Sequence, residues 1–290
     1  MTTLSAQLVP DYGRGFSSRN LYRMIQLAEA IPDEQIVTTL SAQLSWSHFV
    51  ELLMVKDPLA RDFYLEMCRI ERWSVRTLRA KVGGMLFERT ALSRKPEKLI
   101  REELDALREQ DRFTPGLVFR DPYILDFLGL EDTYSERDLE QAILRELEAF
   151  ILELGTDFSF VARQKRLIID GEDYYLDLLF FHRGLRRLIA VELKLRRFEA
   201  ADKGQVELYL RWLDQHERRS GEEAPLGLIL CAGKGQQLVE LLQVEASGIH
   251  VAEYLTELPA RELLERKLLE AIRTARARHR PRLLEAMGEE

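Results

Sequence analysis

The sequence predicts an α/β protein: a mixed β-sheet flanked by helices, in the order α-β-β-β-α-β, preceded by an all-α, helix-turn-helix-like N-terminal domain. Three observations carry this reading. Up to about residue 110, apolar positions recur every three or four residues, and Gly and Pro stand between the segments. After Gly155 the period shortens to two over three successive strand-like runs. Helix and strand patterns then alternate to about residue 257, as expected of a sheet covered by helices. The implied division is a helical domain over 1–110, a connector over 111–132, the α/β domain over 133–258 and a basic amphipathic helix over 259–290.

In the N-terminal part, Ser17 or Ser18 can cap a helix through "RNLYRMIQLAEA" that stops before Pro32. Ser45 or Ser47 can cap the next, "HFVELLMV", which ends near Asp57-Pro58. The string "TLSAQL" occurs at 3–8 and again at 39–44, a short internal similarity that would fit a repeat. Across the segment 62–82, Arg69, Arg72, Arg76 and Arg79 fall at i, i+3, i+7 and i+10. One helix face would then carry four guanidinium groups, read either as tracking phosphates or as a solvated face paired with Glu66 and Glu71.

The connector "RFTPGLVFRDPYILDFLGLED" is rich in Pro, Gly and aromatic residues. Ser135 with Asp138 forms a capping box that opens a helix running to Leu154, with Gly155 as its stop. "FSFVARQKRLIID", "YYLDLLFF" and "RLIAVELKL", joined by turns at Asp170-Gly171 and near Arg183-Gly184, form a three-stranded meander. A helix over 203–218, the strand "LGLILCA", a helix over 236–243 and the strand "IHVAEYL" follow.

Composition narrows the functional classes. The 290 residues are 46% hydrophobic and 31% charged, ordinary for a globular protein. Apolar runs such as Leu226–Ala232 are one strand long, far short of the ~20 residues a membrane helix needs. Cys68 and Cys231 stand apart without zinc or disulfide spacing, so a reducing cytoplasm is expected. The net charge of -7 argues against a broadly basic nucleic-acid coat. Between Arg61 and Arg101, however, eleven Lys/Arg face five Asp/Glu, a local excess of six positive charges.

The chemistry concentrates in the meander. Along "RLIAVELKL", Ile189, Val191, Leu193 and Leu195 share one face, while Ala190, Glu192 and Lys194 share the other. A buried, unpaired carboxylate costs several kcal/mol, so Glu192 must be paired, open to a cleft or bound to a cation. A simple Glu192–Lys194 salt bridge would leave Asp177, in the preceding strand, unexplained. On the helix over 135–154 an apolar stripe of Leu144, Leu147, Ile151 and Leu154 points back to Glu140, which either faces the sheet or forms the exposed end of the stripe. Three carboxylates and an amine at one cleft suit a hard divalent cation such as Mg²⁺, with oxygen ligands and a phosphate substrate. That set describes metal-assisted phosphodiester hydrolysis.

Asp177, fourteen intervening residues, then Glu192-Leu193-Lys194 resembles the PD-(D/E)XK nuclease superfamily. The longer strings "LEQAILRELEAFILELGTDFSFVARQKRL", "YYLDLLFFHRGLRRLIAVELK", "KGQVELYL" and "LGLILC" resemble the bacterial YhcG-type nuclease domain, over about 133–257. "GFSSRNLYRM", "LSWSHFVELL" and "WSVRTLRAKVGGMLFERT" are similar to the helical N-terminal domain of that family. The resemblance implies a restriction-endonuclease-like fold. It further implies Asp177, Glu192 and Glu140 as metal-binding acids, Lys194 as the catalytic lysine, and Arg163 and Gln164 of "RQ" with Gln205 and Tyr209 of "GQxxxY" as substrate-side or water-contacting residues. Two features depart from the pattern. Leu176 stands where the superfamily name has proline, and relatives usually carry a further helical segment ahead of "TLSAQL", so a shortened N-terminal domain is expected.

The expected activity is therefore Mg²⁺-dependent DNA cleavage, with Mn²⁺ as a substitute, in repair, recombination, restriction or defence against phage and mobile elements. The competing class is a non-catalytic DNA-binding or partner-binding subunit of such a system; an interaction protein ranks third. DNA is the expected partner, a homodimer is compatible with cutting both strands, and restriction or defence components are further candidates. "CAGKGQQ" lacks the GxxxxGK[ST] phosphate loop, and the five histidines show no ligand spacing. His182, in the turn beside the site, is expected at the solvent surface or near phosphate. The tail, basic from Arg273 to Arg282, reads as gripping DNA, forming a dimer seam or lying solvated.

Overall fold

The computed structural model describes residues 1–31, 43–128, 130, 134–155, 157–256 and 259–286, with side chains in the last segment described to residue 277. Two compact units divide it: Met1–Glu88 with Pro96–Asp111, and Arg89–Lys95 with Arg112–Glu290.

The first unit is helical: α1 (Thr2–Tyr12), α2 (Ser18–Ala30), α3 (Trp46–Leu52), α4 (Pro58–Glu71), α5 (Val75–Gly83) and α6 (Glu97–Gln110). Ser17 and Ser45 are the residues at the starts of α2 and α3. Asp57 caps α4 by accepting from the Leu59 amide, with Pro58 in the first helical position. The second "TLSAQL" string lies mostly outside the described residues, and the first is part of α1.

The four-arginine face is corrected. α4 ends at Arg72, which adopts a left-handed conformation (φ 51°), and α5 restarts after Ser74, whose hydroxyl accepts from the Thr77 amide. Arg69 and Arg72 thus belong to one helix end and Arg76 and Arg79 to another helix. Arg69 is turned inward, donating to buried Glu66 (2.9 Å), to Asp111 (2.7 Å) and to the Leu107 carbonyl (2.9 Å). Arg79 pairs with Glu51, and Arg72 and Arg76 are exposed.

The second unit is built on β1 (Tyr123–Ile124), β2 (Phe158–Ile169), β3 (Glu172–His182), β4 (Arg187–Arg197), β5 (Leu226–Gly233) and β6 (Ile249–Leu255), in the spatial order β1-β6-β5-β4-β3-β2. β2, β3 and β4 form the antiparallel meander; β4, β5, β6 and β1 run parallel. The connector supplies β1, an edge strand that its irregular composition did not announce. One side of the sheet packs on α7 (Glu136–Arg145) and α8 (Leu147–Leu154) through Leu139, Ile143, Phe150 and Leu154; the other packs on α9 (Ala200–His216) through Val206, Tyr209 and Leu213. α10 (Gln236–Leu241) and α11 (Arg261–Ala286) complete the unit.

The single helix expected over 135–154 is two, separated at Glu146 (φ -103°, ψ 33°). The break rotates the apolar face, so Leu139, Ala142 and Ile143 are fully buried while Leu144, Leu147 and Ile151 pack at its margin. The Ser135–Asp138 capping box is present, with the Asp138 amide 3.2 Å from the Ser135 hydroxyl. Gly227 explains "LGLILC": a Cβ there would lie 2.6 Å from Val206 Cγ1, so only glycine lets α9 approach β5 this closely. α11 buries Leu264, Leu268 and Ile272 on one face, and Arg276 Nε donates to the Ser93 carbonyl (3.0 Å), so the described part of the tail is docked.

Candidate active site

β3 and β4 pair from Leu178↔Val191 to His182↔Arg187. Toward the start of β3 and the end of β4 that pairing stops, and the polar residues of the meander gather in the opening. Asp177 sits at the fork. Its Oδ2 accepts from the Leu193 amide at 2.8 Å, a donor that a continued β3–β4 ladder would have used. Its Oδ1 accepts from Gln164 Nε2 at 3.0 Å, and the same nitrogen donates to Glu140 Oε2 at 2.8 Å. Gln164 lies on β2 across from Asp177, between the paired residues Arg163↔Leu178 and Lys165↔Leu176, with φ at 42°. A glutamine held in the left-handed region inside a strand is strained by roughly 1–2 kcal/mol, and such strain concentrates at functional positions.

Glu192 and Lys194 point to the α9 side of the sheet, as the alternation predicts. Lys194 Nζ lies 3.0 Å from Glu192 Oε1, which also accepts from Gln205 Nε2 at 3.1 Å. Gln205 donates to the Tyr209 hydroxyl (2.7 Å), and that hydroxyl donates to the Tyr175 carbonyl (3.4 Å). Glu192 is only 3% exposed, and its second oxygen, Oε2, is buried without a hydrogen-bond partner. Arg163 is exposed one residue before Gln164.

Electrostatics tie the two groups together. Burial pushes the Glu192 carboxyl up to about 7, the Asp177 charge adds to this, and Lys194 opposes it. Burial likewise raises Asp177, against the hydrogen bonds from Leu193 and Gln164. Burial works against the Lys194 ammonium, but Glu192, Glu136 and Asp177 outweigh it and lift the amine above its ordinary value. Lys194 therefore carries its positive charge at neutral pH and stands as a hydrogen-bond donor to Glu192.

Of the three acids expected together, Glu140 and Asp177 share one amide donor, while Glu192 stands with Lys194 on the adjoining strand. Among the described residues, no three His, Cys, Asp or Glu come close enough to hold a metal ion as they stand. The donor set nevertheless fits a hard cation. All three side chains offer carboxylate oxygens, Glu192 Oε2 is a buried acceptor with nothing to accept, and the positive end of the Gln164 amide lies between the other two acids.

Residues 117–269 match the family described as the YhcG PDDEXK nuclease domain, and residues 1–89 match the DUF1016 N-terminal domain. An Escherichia coli (strain K12) protein named "Putative nuclease YhcG" is 36% identical over 296 residues, covering 92% of this chain and 78% of the relative. The chain belongs to the YhcG-type PD-(D/E)XK nuclease family. Solved structures with likeness include a repair endonuclease from Pyrococcus abyssi (21% identity, TM-score 0.30, 45% of this chain and 50% of that one). An EndoMS-dsDNA2 complex is similar at 20% identity and TM-score 0.33, over 45% of this chain and 49% of that one. This chain thus spans about half the length of each of those structures.

The YhcG-type assignment agrees with the mixed sheet flanked by helices. Two features escaped the sequence reading. Glu136, one turn before Glu140, accepts from the Leu195 amide at 3.2 Å. Arg196 forms a two-pronged bond to buried Asp202 (2.9 and 2.7 Å), fixing the start of α9 against the end of β4. Spacing signals both: Glu136 is at i-4 from Glu140, and Arg196 follows the ELK string by two. His182 is a correction. It is buried, edge-on to Phe158 at 4.8 Å, and its Nδ1 accepts from the Leu185 amide, on the face of the sheet away from Lys194.

Proposed function

We propose that this YhcG-type protein is a divalent-metal-dependent deoxyribonuclease cutting internal phosphodiester bonds, with Glu140, Asp177 and Glu192 as the metal-binding acids and Lys194 as the catalytic lysine. The observation that carries the reading is Glu192: a buried carboxylate with one oxygen on an ammonium and the other unpartnered, next to the Asp177–Gln164–Glu140 bridge. A bound Mg²⁺ or Mn²⁺ would neutralise charge developing on the phosphate and make a nearby water easier to ionise. The protein's own contribution is positional. The Leu193 amide fixes Asp177, the Gln205–Tyr209 pair fixes Glu192, and Glu192 aims the Lys194 ammonium, which can donate to a phosphate oxygen or to the attacking water. Arg163, Gln164, Gln205 and Tyr209 lie where they can approach substrate, with exposed Arg72, Arg76 and Arg79 as candidate phosphate contacts of the helical unit; Arg69, tied to Glu66, is the weakest of that set.

With one such site per chain, a homodimer would let both strands of a duplex be cut together. Repair, recombination, restriction or defence against mobile DNA would use this chemistry. Among the described residues no helix is long and apolar enough to cross a membrane.

Purified protein incubated with supercoiled, linear, single-stranded and branched DNA, with Mg²⁺, Mn²⁺ or EDTA, tests the reading. Cleavage is expected with either ion, lost in EDTA and lost in Asp177→Ala and Lys194→Ala. Metal-dependent cleavage that persists in either variant overturns these roles, and DNA binding without cleavage of any substrate favours a non-catalytic DNA-binding subunit.

A further inference from the structure

We propose that Glu136 is a positioning residue of the same site: its carboxylate clamps β4 immediately after Lys194 and so sets where the ammonium points. The inference rests on the nuclease reading and extends it to a side chain outside the acid-acid-lysine set.

The geometry begins with the fork. Once β3 leaves β4 after Leu178↔Val191, the β4 amides on that side, at Leu193 and Leu195, lose their ladder acceptors. Carboxylates take both places: Asp177 accepts from Leu193 at 2.8 Å and Glu136 accepts from Leu195 at 3.2 Å. Lys194 is the residue between these two amides, so its backbone is pinned on either side by an acid. Its other ladder also weakens here, since the β4–β5 register shifts between Lys194 and Arg197. Without Glu136, the Leu195 amide would have no acceptor on the β3 side, and the segment after Lys194 would rest on the irregular β4–β5 pairing and the Arg196–Asp202 bond. α7 thus spans the fork with acids in successive turns: Glu136 on β4, and Glu140 toward Gln164 and Asp177. Glu136 stands in the first turn of α7. Its charge also acts on Lys194 and Glu192.

A clamp makes a different prediction from a bare charge. Glu136→Gln keeps an oxygen that can accept from Leu195; Glu136→Ala does not. The clamp predicts that Glu136→Ala lowers kcat about 10- to 100-fold with KM little changed, and that Glu136→Gln restores most of it. Both variants should keep the wild-type far-ultraviolet spectrum. Hydrogen exchange at the Leu195 amide reads the clamp without any cleavage: exchange should accelerate in Glu136→Ala and remain near wild type in Glu136→Gln. If Glu136→Gln is as impaired as Glu136→Ala while Leu195 stays protected, charge and not positioning is at work and the proposal fails. Unchanged Leu195 exchange in Glu136→Ala overturns it outright. Should the wild type cut nothing, the nuclease reading falls, and Leu195 exchange still decides the clamp.

Discussion

Gln164 and Asp177 face each other across the β2–β3 ladder, and the Gln164 amide, held at φ 42°, donates to Asp177 at 3.0 Å while bridging to Glu140 at 2.8 Å. One neutral donor thus separates two carboxylates that would otherwise repel.

Gln164→Ala should therefore destabilise the protein in EDTA, by an amount on the order of 1 kcal/mol for the lost hydrogen bonds. Added Mg²⁺ should narrow the gap between variant and wild type, because a cation can take over the separation of the two acids. Thermal unfolding with and without Mg²⁺ checks this; a gap that Mg²⁺ leaves unchanged would show that the ion does not join these carboxylates.

Much of this geometry was legible beforehand, for physical reasons. Strand alternation has period two, which places Glu192 and Lys194 on one face from the period alone, and the Ser135–Asp138 pair declares its helix start in four residues. What failed was continuity. "RELEAF" has uninterrupted helix formers, so nothing local announces the break at Glu146, and the four arginines were projected through a helix that stops at Arg72. Ser74 followed by Thr77 at i+3 was the available warning. Gln164 matches a polar site position, but its left-handed backbone (φ 42°) is not a feature any local sequence pattern encodes. His182 departs from expectation because a polar residue next to a turn reads as exposed, whereas Phe158 and Phe113 enclose it.

Glu192 makes the metal-free protein lose stability as pH rises from acidic to neutral. Its carboxyl is raised to about 7 from an ordinary value of 4.5, so the folded state holds a proton that the unfolded state has released. Stability from this group is full below about 4.5 and is lost as pH rises through about 7, a span worth on the order of 3 kcal/mol. Glu192→Gln removes the titration. In EDTA its melting temperature should gain on the wild type between pH 5 and pH 8, while cleavage is abolished. A constant difference across that range would contradict the assignment.

Two buried imidazoles act in the opposite sense. Burial lowers His182 to about 4 and His250, stacked on Phe119, to about 3, from 6.5. Both remain neutral in the folded protein, so their contribution is present above pH 6.5 and is lost as pH falls toward those values, when the unfolded chain binds protons that the fold refuses. Their imidazole resonances should stay at neutral positions down to pH 5. Titration of either near 6.5 in folded protein would mean that it is not enclosed as found.

Gly227 links core packing to the site. A Cβ added there would meet Val206 Cγ1 at 2.6 Å and Ile249 Cγ1 at 3.2 Å, so Gly227→Ala must push α9 off β5. Overpacking of this kind costs about 1–3 kcal/mol. Val206 is the neighbour of Gln205, whose bond to Glu192 at 3.1 Å is carried on the same turn of α9. Gly227→Ala should thus lower both the denaturation midpoint and the cleavage rate, although it touches none of the proposed catalytic groups. Val206→Ala removes the clashing methyl and costs stability by itself. In the double variant the two costs should be less than additive, because the new methyl enters the space the valine vacates. Strict additivity in urea unfolding would rule out the close approach of α9 as the reason that glycine stands at 227.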